Sequence, residues 1–151
     1  MDTELAFDSF RYNNSETWFE LILKATAFPS VNQSYGINTR NKTIYTLPHV
    51  IQFQNEIKEQ VILIDPKSQC PWITESQVYY IHFTFILNHS FWSRDLDNML
   101  KAAQDCIFSC LSVNDARVIE HHNYKNFRAG DYEYLIVKIG LSLYPYDQFN
   151  N

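Results

Sequence analysis

The chain has 151 residues, of which 46% are apolar, 19% are charged and 16% are aromatic, and its formal net charge is −5. The chain has only three glycines and five prolines, and these low counts exclude a low-complexity or linker-rich protein. The length predicts a single domain. No apolar segment approaches the roughly 20 residues of a membrane span, and the first 19 residues lack a basic start followed by an apolar block. We therefore expect a cytoplasmic protein without a membrane partner.

The negative charge is concentrated at the amino end. The first 20 residues contain five acids and one arginine, a net of −4. Between positions 21 and 55 there is no acid, whereas Lys24, Arg40 and Lys42 are present. The net charge argues against nucleic-acid binding, yet a local basic surface can attract DNA when the whole chain is negative.

The first half of the chain predicts one strand and one helix. Residues 1–17 mix acids with Asn and Ser, and we expect a poorly ordered lead-in before a domain at 18–145. Residues 18–25 place apolar side chains at period two, which predicts a strand, and the polar segment 29–42 predicts a long loop or hairpin. Pro48 suits the first turn of a helix that ends before Asp65-Pro66.

The second half predicts three more strands and a second helix. Residues 67–77 indicate a loop, and the aromatic, β-branched segment 78–87 indicates a central strand. Ser93 is predicted to cap a helix whose buried stripe continues to Leu111. Residues 116–125 predict a strand, 126–131 a turn and 132–143 a returning strand. The predicted class is α+β, a small mixed sheet with two main helices packed against it.

The cysteines and paired histidines are expected to be structural. Cys70, Cys106 and Cys110 are odd in number and lack metal-ligand spacing, so buried free thiols are expected. The neighbours His121 and His122 would point to opposite faces of a strand, which disfavours a shared metal.

The most informative feature is an acidic run that opens the second helix. Asp95, Asp97, Asn98 and Lys101 lie in that run, and Asp115 follows on a later segment. Acids favour helix N-termini because they complement the helix dipole, and that is one interpretation. The other is a cation site, because carboxylates about 4 Å apart repel by roughly 4 kcal/mol at an effective dielectric of 20, and a hard divalent cation removes that cost.

Geometry sets a condition on the cation site. Residues two apart on a helix point about 200° apart, so Asp95 and Asp97 can share a cation only if Asp95 precedes the helix. Lys101 lies one turn after Asp97, where it would neutralise that carboxylate or contact a substrate phosphate. Composition and spacing leave both interpretations open.

The motif of this region resembles one protein family. Residues 94–118 read RDLDNMLKAAQDCIFSCLSVNDARV. This segment is similar to the core of the RusA family of Holliday-junction resolvases, in which a D-x-D-N-x-x-K run opens a helix and a D-D-[SA]-x-[VI] element starts a later strand. The chain departs from the pattern at Asn114, where the family has the first acid of its D-D pair.

The resemblance implies an activity and its residues. Asp95, Asp97 and Asp115 match the metal-binding acids, Lys101 matches the essential lysine, and Arg94 matches a basic residue beside the site. The implied protein is a homodimeric, Mg²⁺-dependent crossover junction endodeoxyribonuclease for DNA recombination and repair, with Mn²⁺ as a substitute and no organic cofactor. It would resolve four-way junctions by paired symmetric nicks.

Further DNA contacts are predicted from the basic side chains. Each has an alternative: Arg40 and Lys42 also fit a solvated hairpin tip, Arg117 a salt bridge, and Lys125 and Arg128 an ordinary turn. Asn98 and Arg94 are the candidates nearest the acids. The aromatic pair Phe91-Trp92 either wedges into a junction or packs beneath the site.

Three rival functions remain open at this stage. The first is a nuclease for other branched DNA, such as flaps or forks. The second is a DNA-junction binding protein that does not cleave, and the third is an interaction domain whose acids only cap a helix.

Overall fold

The computed structural model describes residues 9–29, 35–41 and 43–142. The strands are β1 Phe10–Asn13, β2 Trp18–Ala25, β3 Tyr35–Asn38, β4 Thr43–Thr46, β5 Tyr79–Leu87, β6 Val118–Phe127 and β7 Glu133–Leu141. The helices are α1 Pro48–Ile64, α2 Pro66–Gln69 and α3 Leu96–Leu111, and single 3₁₀ turns cover Phe91–Ser93 and Asp115–Arg117.

Five strands form a mixed sheet in the order β1-β2-β7-β5-β6, and β3 pairs with β4 in a separate hairpin. Strands β5 and β6 are parallel, and the other pairs in the five-stranded sheet are antiparallel. The parallel pair needs a crossover connection, which α3 supplies. The predicted α+β class, a small mixed sheet with two main helices, is confirmed.

One face of the sheet and the two main helices enclose the core. Along β5 the side chains alternate between buried and half-buried, as a strand with one covered face requires. The buried stripes of α1 and α3 belong to the same apolar cluster as this face of β5. Each fully buried Leu, Ile, Val or Phe contributes about 1.5–3 kcal/mol relative to exposure, so this cluster is the main stabilising feature of the fold.

Local patterns predicted several elements with accurate bounds. Strand β2 covers the predicted residues 18–25, and α1 begins at Pro48 and ends at Ile64. The helix stops because Asp65 adopts a left-handed backbone conformation, with φ 52° and ψ 65°, directly before Pro66. The hairpin predicted within 29–42 is present as β3 and β4, displaced towards the carboxyl side.

Three local predictions are wrong. The segment 67–77, predicted as a loop, begins inside the short helix α2. Strand β1 lies inside the predicted lead-in, where it pairs with β2 and the Arg11 side chain donates to Glu20 over 2.9 Å; residues 1–8 are outside the described part. Ser93 does not cap α3, because its hydroxyl donates to the carbonyl of Ser90 within a 3₁₀ turn, and the N-cap residue is Asp95.

The last strand does not return beside its predecessor. Strand β7 lies between β2 and β5, so β6 is left at the edge of the sheet. The connecting residues 128–132 pass the carboxyl end of β5, where the Arg128 amide donates to the Leu87 carbonyl and the Asn88 side chain donates to the Gly130 carbonyl. These contacts place the connection directly beside the segment that leads into α3.

Cys70 and Cys106 are buried free thiols, and Cys110 is a half-buried one. Within the described ranges, no helix has the length and apolar character that crossing a membrane requires.

Candidate acidic site

The acidic run lies at the junction between a loop and α3. Asp95 has an extended backbone, with φ −73° and ψ 136°, and α3 begins at the next residue, Leu96. Asp97 is therefore in the first helical turn while Asp95 precedes it. The geometric condition for a shared cation is met, because helical geometry does not force the two side chains apart.

Both carboxylates are exposed, and within the described residues neither has a hydrogen-bond or ion-pair partner. An N-cap aspartate usually accepts a hydrogen bond from the first-turn amides, yet the Asp95 carboxylate makes no such bond. Two free carboxylates at the positive end of a helix give oxygen ligands of the kind that Mg²⁺ prefers.

The loop before these acids is anchored by a buried ion pair. Arg94 Nη1 donates to Glu133 Oε2 over 2.6 Å, and Arg94 Nη2 donates to the Phe28 carbonyl over 2.6 Å. Glu133 is entirely buried and also accepts from the backbone amides of Phe28 and Asn88. The Arg94 guanidinium thus points into the protein, and a DNA contact by Arg94 stays a prediction.

Lys125 is a second internal anchor. Its ammonium donates to the Phe91 carbonyl over 2.6 Å and to the Arg94 carbonyl over 2.9 Å, and it lies 4.7 Å from the Phe91 ring centroid. The donors of Lys125 face backbone carbonyls, and a DNA contact by Lys125 stays a prediction. Together, Lys125 and Glu133 fix both sides of the loop that presents Asp95.

The remaining predicted catalytic residues lie further along α3. Lys101 pairs with Asp105 over 3.5 Å, and both side chains are more than half exposed. Burial and the neighbouring Asp115 side chain raise the pKa of Asp105 above its ordinary value. The structure therefore brings together Lys101, Asp105 and Asp115.

A polar bridge ties Asp115 to the neighbouring strand. Gln104 Nε2 donates to Asp115 Oδ2 over 3.4 Å, and Gln104 Oε1 lies 2.7 Å from His121 Nε2. In the neutral form whose proton is on Nε2, His121 donates to the Gln104 oxygen, and its Nδ1 lies 3.3 Å from Asn123 Oδ1. Burial lowers the pKa of His121, which favours this neutral form.

Asp115 does not join the other two aspartates within one chain. Asp97 and Asp105 are eight residues apart on α3, which is about 12 Å along the helix axis. No three His, Cys, Asp or Glu side chains in the described segments form a group able to hold a metal ion. The donor pair Asp95 and Asp97 nevertheless fits Mg²⁺, which proteins commonly hold with one or two carboxylates plus water and substrate phosphates.

A cavity of about 520 Å³ opens beside the start of α3. Asp95 and Asn98 line it together with His49 and Glu56 from α1 and with His89. The Glu56 carboxylate is fixed by the amide and hydroxyl of Thr26. The predicted site residue Asn98 thus borders a polar space next to the free carboxylate of Asp95.

The more remote predicted DNA contacts are spread over the molecule. Arg40 is exposed in the connection between β3 and β4, and Lys42 is outside the described residues. Arg117 ends the 3₁₀ turn that begins at Asp115, and its charge acts on the hydroxyl of Tyr79. Arg128 is half-buried directly after β6, and within the described part of the chain Asp95 has no contact with Arg40, Arg117 or Arg128.

Glu133 is the residue that sequence reasoning missed. A carboxylate at the start of the apolar segment EYLIVKIGL is only a weak indication of a buried charge, because acids are common at strand ends. A buried acid needs a charged or hydrogen-bonded partner, but no local pattern indicates that this partner is Arg94, 39 residues away.

No family model matches the chain, and no curated protein matches it. Two solved structures are weakly similar in backbone. A HypE–HypF complex has 8% identity and a TM-score of 0.32 over 85% of this chain, which spans 34% of that one. The 2C-methyl-D-erythritol 2,4-cyclodiphosphate synthase of Plasmodium vivax has 11% identity and a TM-score of 0.30 over 83% of this chain and 94% of the enzyme.

Proposed function

We propose that the protein is a Mg²⁺-dependent, structure-selective endodeoxyribonuclease of the RusA type. Its substrate would be a four-way DNA junction, cut by paired symmetric nicks during recombination and repair. The resemblance of residues 94–118 to the RusA motif supports the proposal, as do the two free carboxylates that this motif places at the start of α3.

The extended conformation of Asp95 is the observation that favours this proposal most. A solvated helix start would use Asp95 as a cap, whereas its carboxylate makes no capping bond. Asp95 and Asp97 would hold the cation between them and a DNA phosphate. When bound, Mg²⁺ supplies activation of water and stabilisation of the charge that develops during phosphodiester hydrolysis.

Lys101 would position the scissile phosphate. Among the described residues its only partner is the exposed Asp105, and an exposed ion pair contributes about 0–1 kcal/mol. A phosphate can therefore replace that partner at little cost. The resemblance makes Asp115 a third cation ligand, and this role requires the 3₁₀ turn that begins at Asp115 to move towards the start of α3 when DNA binds.

Two copies of the chain would act together. A four-way junction has two symmetric scissile strands, and a two-fold homodimer presents two sites related in the same way. Recognition would depend on branched shape and phosphate contacts. A DNA substrate also agrees with the predicted cytoplasmic location, and the chemistry needs no organic cofactor.

A DNA-junction binding protein that does not cleave is the second candidate. The separation of Asp115 from the start of α3 and the presence of Asn114 favour it. Cleavage of flaps or forks, in place of four-way junctions, is a variant of the first proposal.

The deciding experiment compares a labelled synthetic four-way junction with linear duplex DNA in Mg²⁺, Mn²⁺ or EDTA. We expect symmetric nicks in the junction alone, abolished by EDTA. Binding without nicks under either metal would favour the non-cleaving protein, and nicks confined to flaps or forks would change the substrate. Neither binding nor cleavage of any branched DNA would contradict both candidates.

A further inference from the structure

The structure separates the aromatic pair that precedes the acidic site. Phe91 is half-buried and packs against the apolar core, whereas Trp92 is 89% exposed. This is the highest exposure among the large apolar side chains of the described ranges. The alternative that both rings pack beneath the site therefore holds for Phe91 only.

Trp92 is held in place although its ring is exposed. The Lys125 ammonium donates to the carbonyls of Phe91 and Arg94, which flank Trp92 on both sides. The Ser93 amide donates to the Ser90 carbonyl over 3.2 Å and closes the turn. The Phe91 ring meets the indole edge-to-face at 4.9 Å and 84°. Binding a flat partner to an indole that is already fixed costs little conformational entropy.

The charges around Trp92 favour stacking over phosphate contacts. Arg94 follows Trp92 by two residues and Lys125 contacts the same loop, and both side chains are bonded to Glu133 or to backbone carbonyls. The whole chain carries a net charge of −5. The two cations that contact the Trp92 loop therefore already have partners, whereas the exposed π face of Trp92 offers every base a contact that does not depend on them.

We propose that Trp92 stacks on a DNA base at the branch point, beside the phosphodiester that Asp95 and Asp97 would face. This inference rests on the proposed nuclease function and adds the contact that positions branched DNA. Trp92 lies three residues before Asp95, on the loop that Arg94 and Lys125 fix. Stacking needs an unpaired or opened base, which a branch point offers and a continuous duplex does not.

The test measures binding of the full chain to a four-way junction in EDTA, with 2-aminopurine at the branch point. We expect the wild type to quench the 2-aminopurine emission on binding. Trp92→Ala should weaken binding about tenfold and lose the quenching, and Trp92→Phe should retain part of both. Leu63→Ala is the matched control, because Leu63 is 87% exposed at the end of α1, and it should bind like the wild type.

The outcomes separate the inference from the proposed function. If the wild type binds no branched DNA, the proposed function itself fails. If the wild type binds and cleaves while Trp92→Ala does both equally well, the stacking inference is overturned and the nuclease stands. If Trp92→Ala instead converts a dimer to a monomer in sedimentation, Trp92 is a subunit contact, which also overturns the inference. Circular dichroism melting confirms that each variant is folded.

Discussion

The Arg94 guanidinium donates to the fully buried carboxylate of Glu133 over 2.6 Å and so joins the loop before α3 to the first residue of β7. The same carboxylate accepts hydrogen bonds from the backbone amides of Phe28 and Asn88, which belong to two other segments. Glu133 therefore joins four parts of the chain, and the position of Asp95 depends on this one acid. A buried pair of this kind stabilises little by itself, but removal of one member leaves an uncompensated charge.

We predict that Glu133→Gln lowers the free energy of unfolding by about 3–5 kcal/mol. The glutamine oxygen can accept from one side of the network, whereas its amide group would face donors on the other side. Urea unfolding followed by circular dichroism measures the change. Glu20→Gln is the control, because the partner of Glu20, Arg11, is 63% exposed, and its cost should stay below about 1 kcal/mol. An unchanged midpoint for Glu133→Gln would show that the pair does not hold the loop.

We predict that Asp97→Asn reduces junction cleavage to background while binding is retained or tightened. The substitution removes one cation ligand and also one negative charge that repels phosphate. Cleavage and binding are measured on the same four-way junction, with Glu75→Gln, an exposed acid before β5, as the control that keeps wild-type behaviour. Joint loss of binding and cleavage with a lower melting temperature would instead indicate a folding role.

We predict that Lys101→Ala lowers the cleavage rate about 10²–10³-fold, as expected for removal of a group that stabilises developing charge. Stability should change by less than about 1 kcal/mol, because the pair with Asp105 is exposed. Single-turnover cleavage measures the rate, and Lys67→Ala on α2 is the matched control. A wild-type rate for Lys101→Ala would remove this residue from the mechanism.

Lys125→Met separates an internal anchor from a phosphate contact. We predict lower stability, because two carbonyl groups lose their donor, with a cost of about 1–3 kcal/mol. For junction binding, the slope of the logarithm of the association constant against the logarithm of the salt concentration should stay as in the wild type. A phosphate contact would reduce that slope by roughly one, and this result would return Lys125 to the DNA interface.

We predict that the buried thiols are unreactive in the folded protein. Burial raises the pKa values of Cys70 and Cys106 from 9.0 to about 11, so both are neutral thiols at pH 8. The stability gained by burying neutral thiols is complete below pH 9 and is lost as the pH rises through about 11. Titration with a thiol reagent at pH 8 should modify Cys70 and Cys106 only after unfolding. Rapid native modification of Cys70 or Cys106 would contradict their burial.

The sequence alone determined the elements whose pattern is local. Period-two alternation defined β2 and β5, and the spacing of three and four residues defined α1 and α3, because these periods follow directly from strand and helix geometry. The acidic motif was likewise readable, since Asp95 to Lys101 are close along one short segment.

Only the tertiary structure decided which distant groups meet. Nothing local places β7 between β2 and β5, pairs Arg94 with Glu133, or directs Lys125 inward instead of towards solvent. The reason is physical. A buried charge is stable only beside its partner, and that partner is chosen by the packing of the whole sheet and not by its neighbours in sequence. The local pattern thus supplied the candidate acids, and long-range contacts decided which cations remain near them.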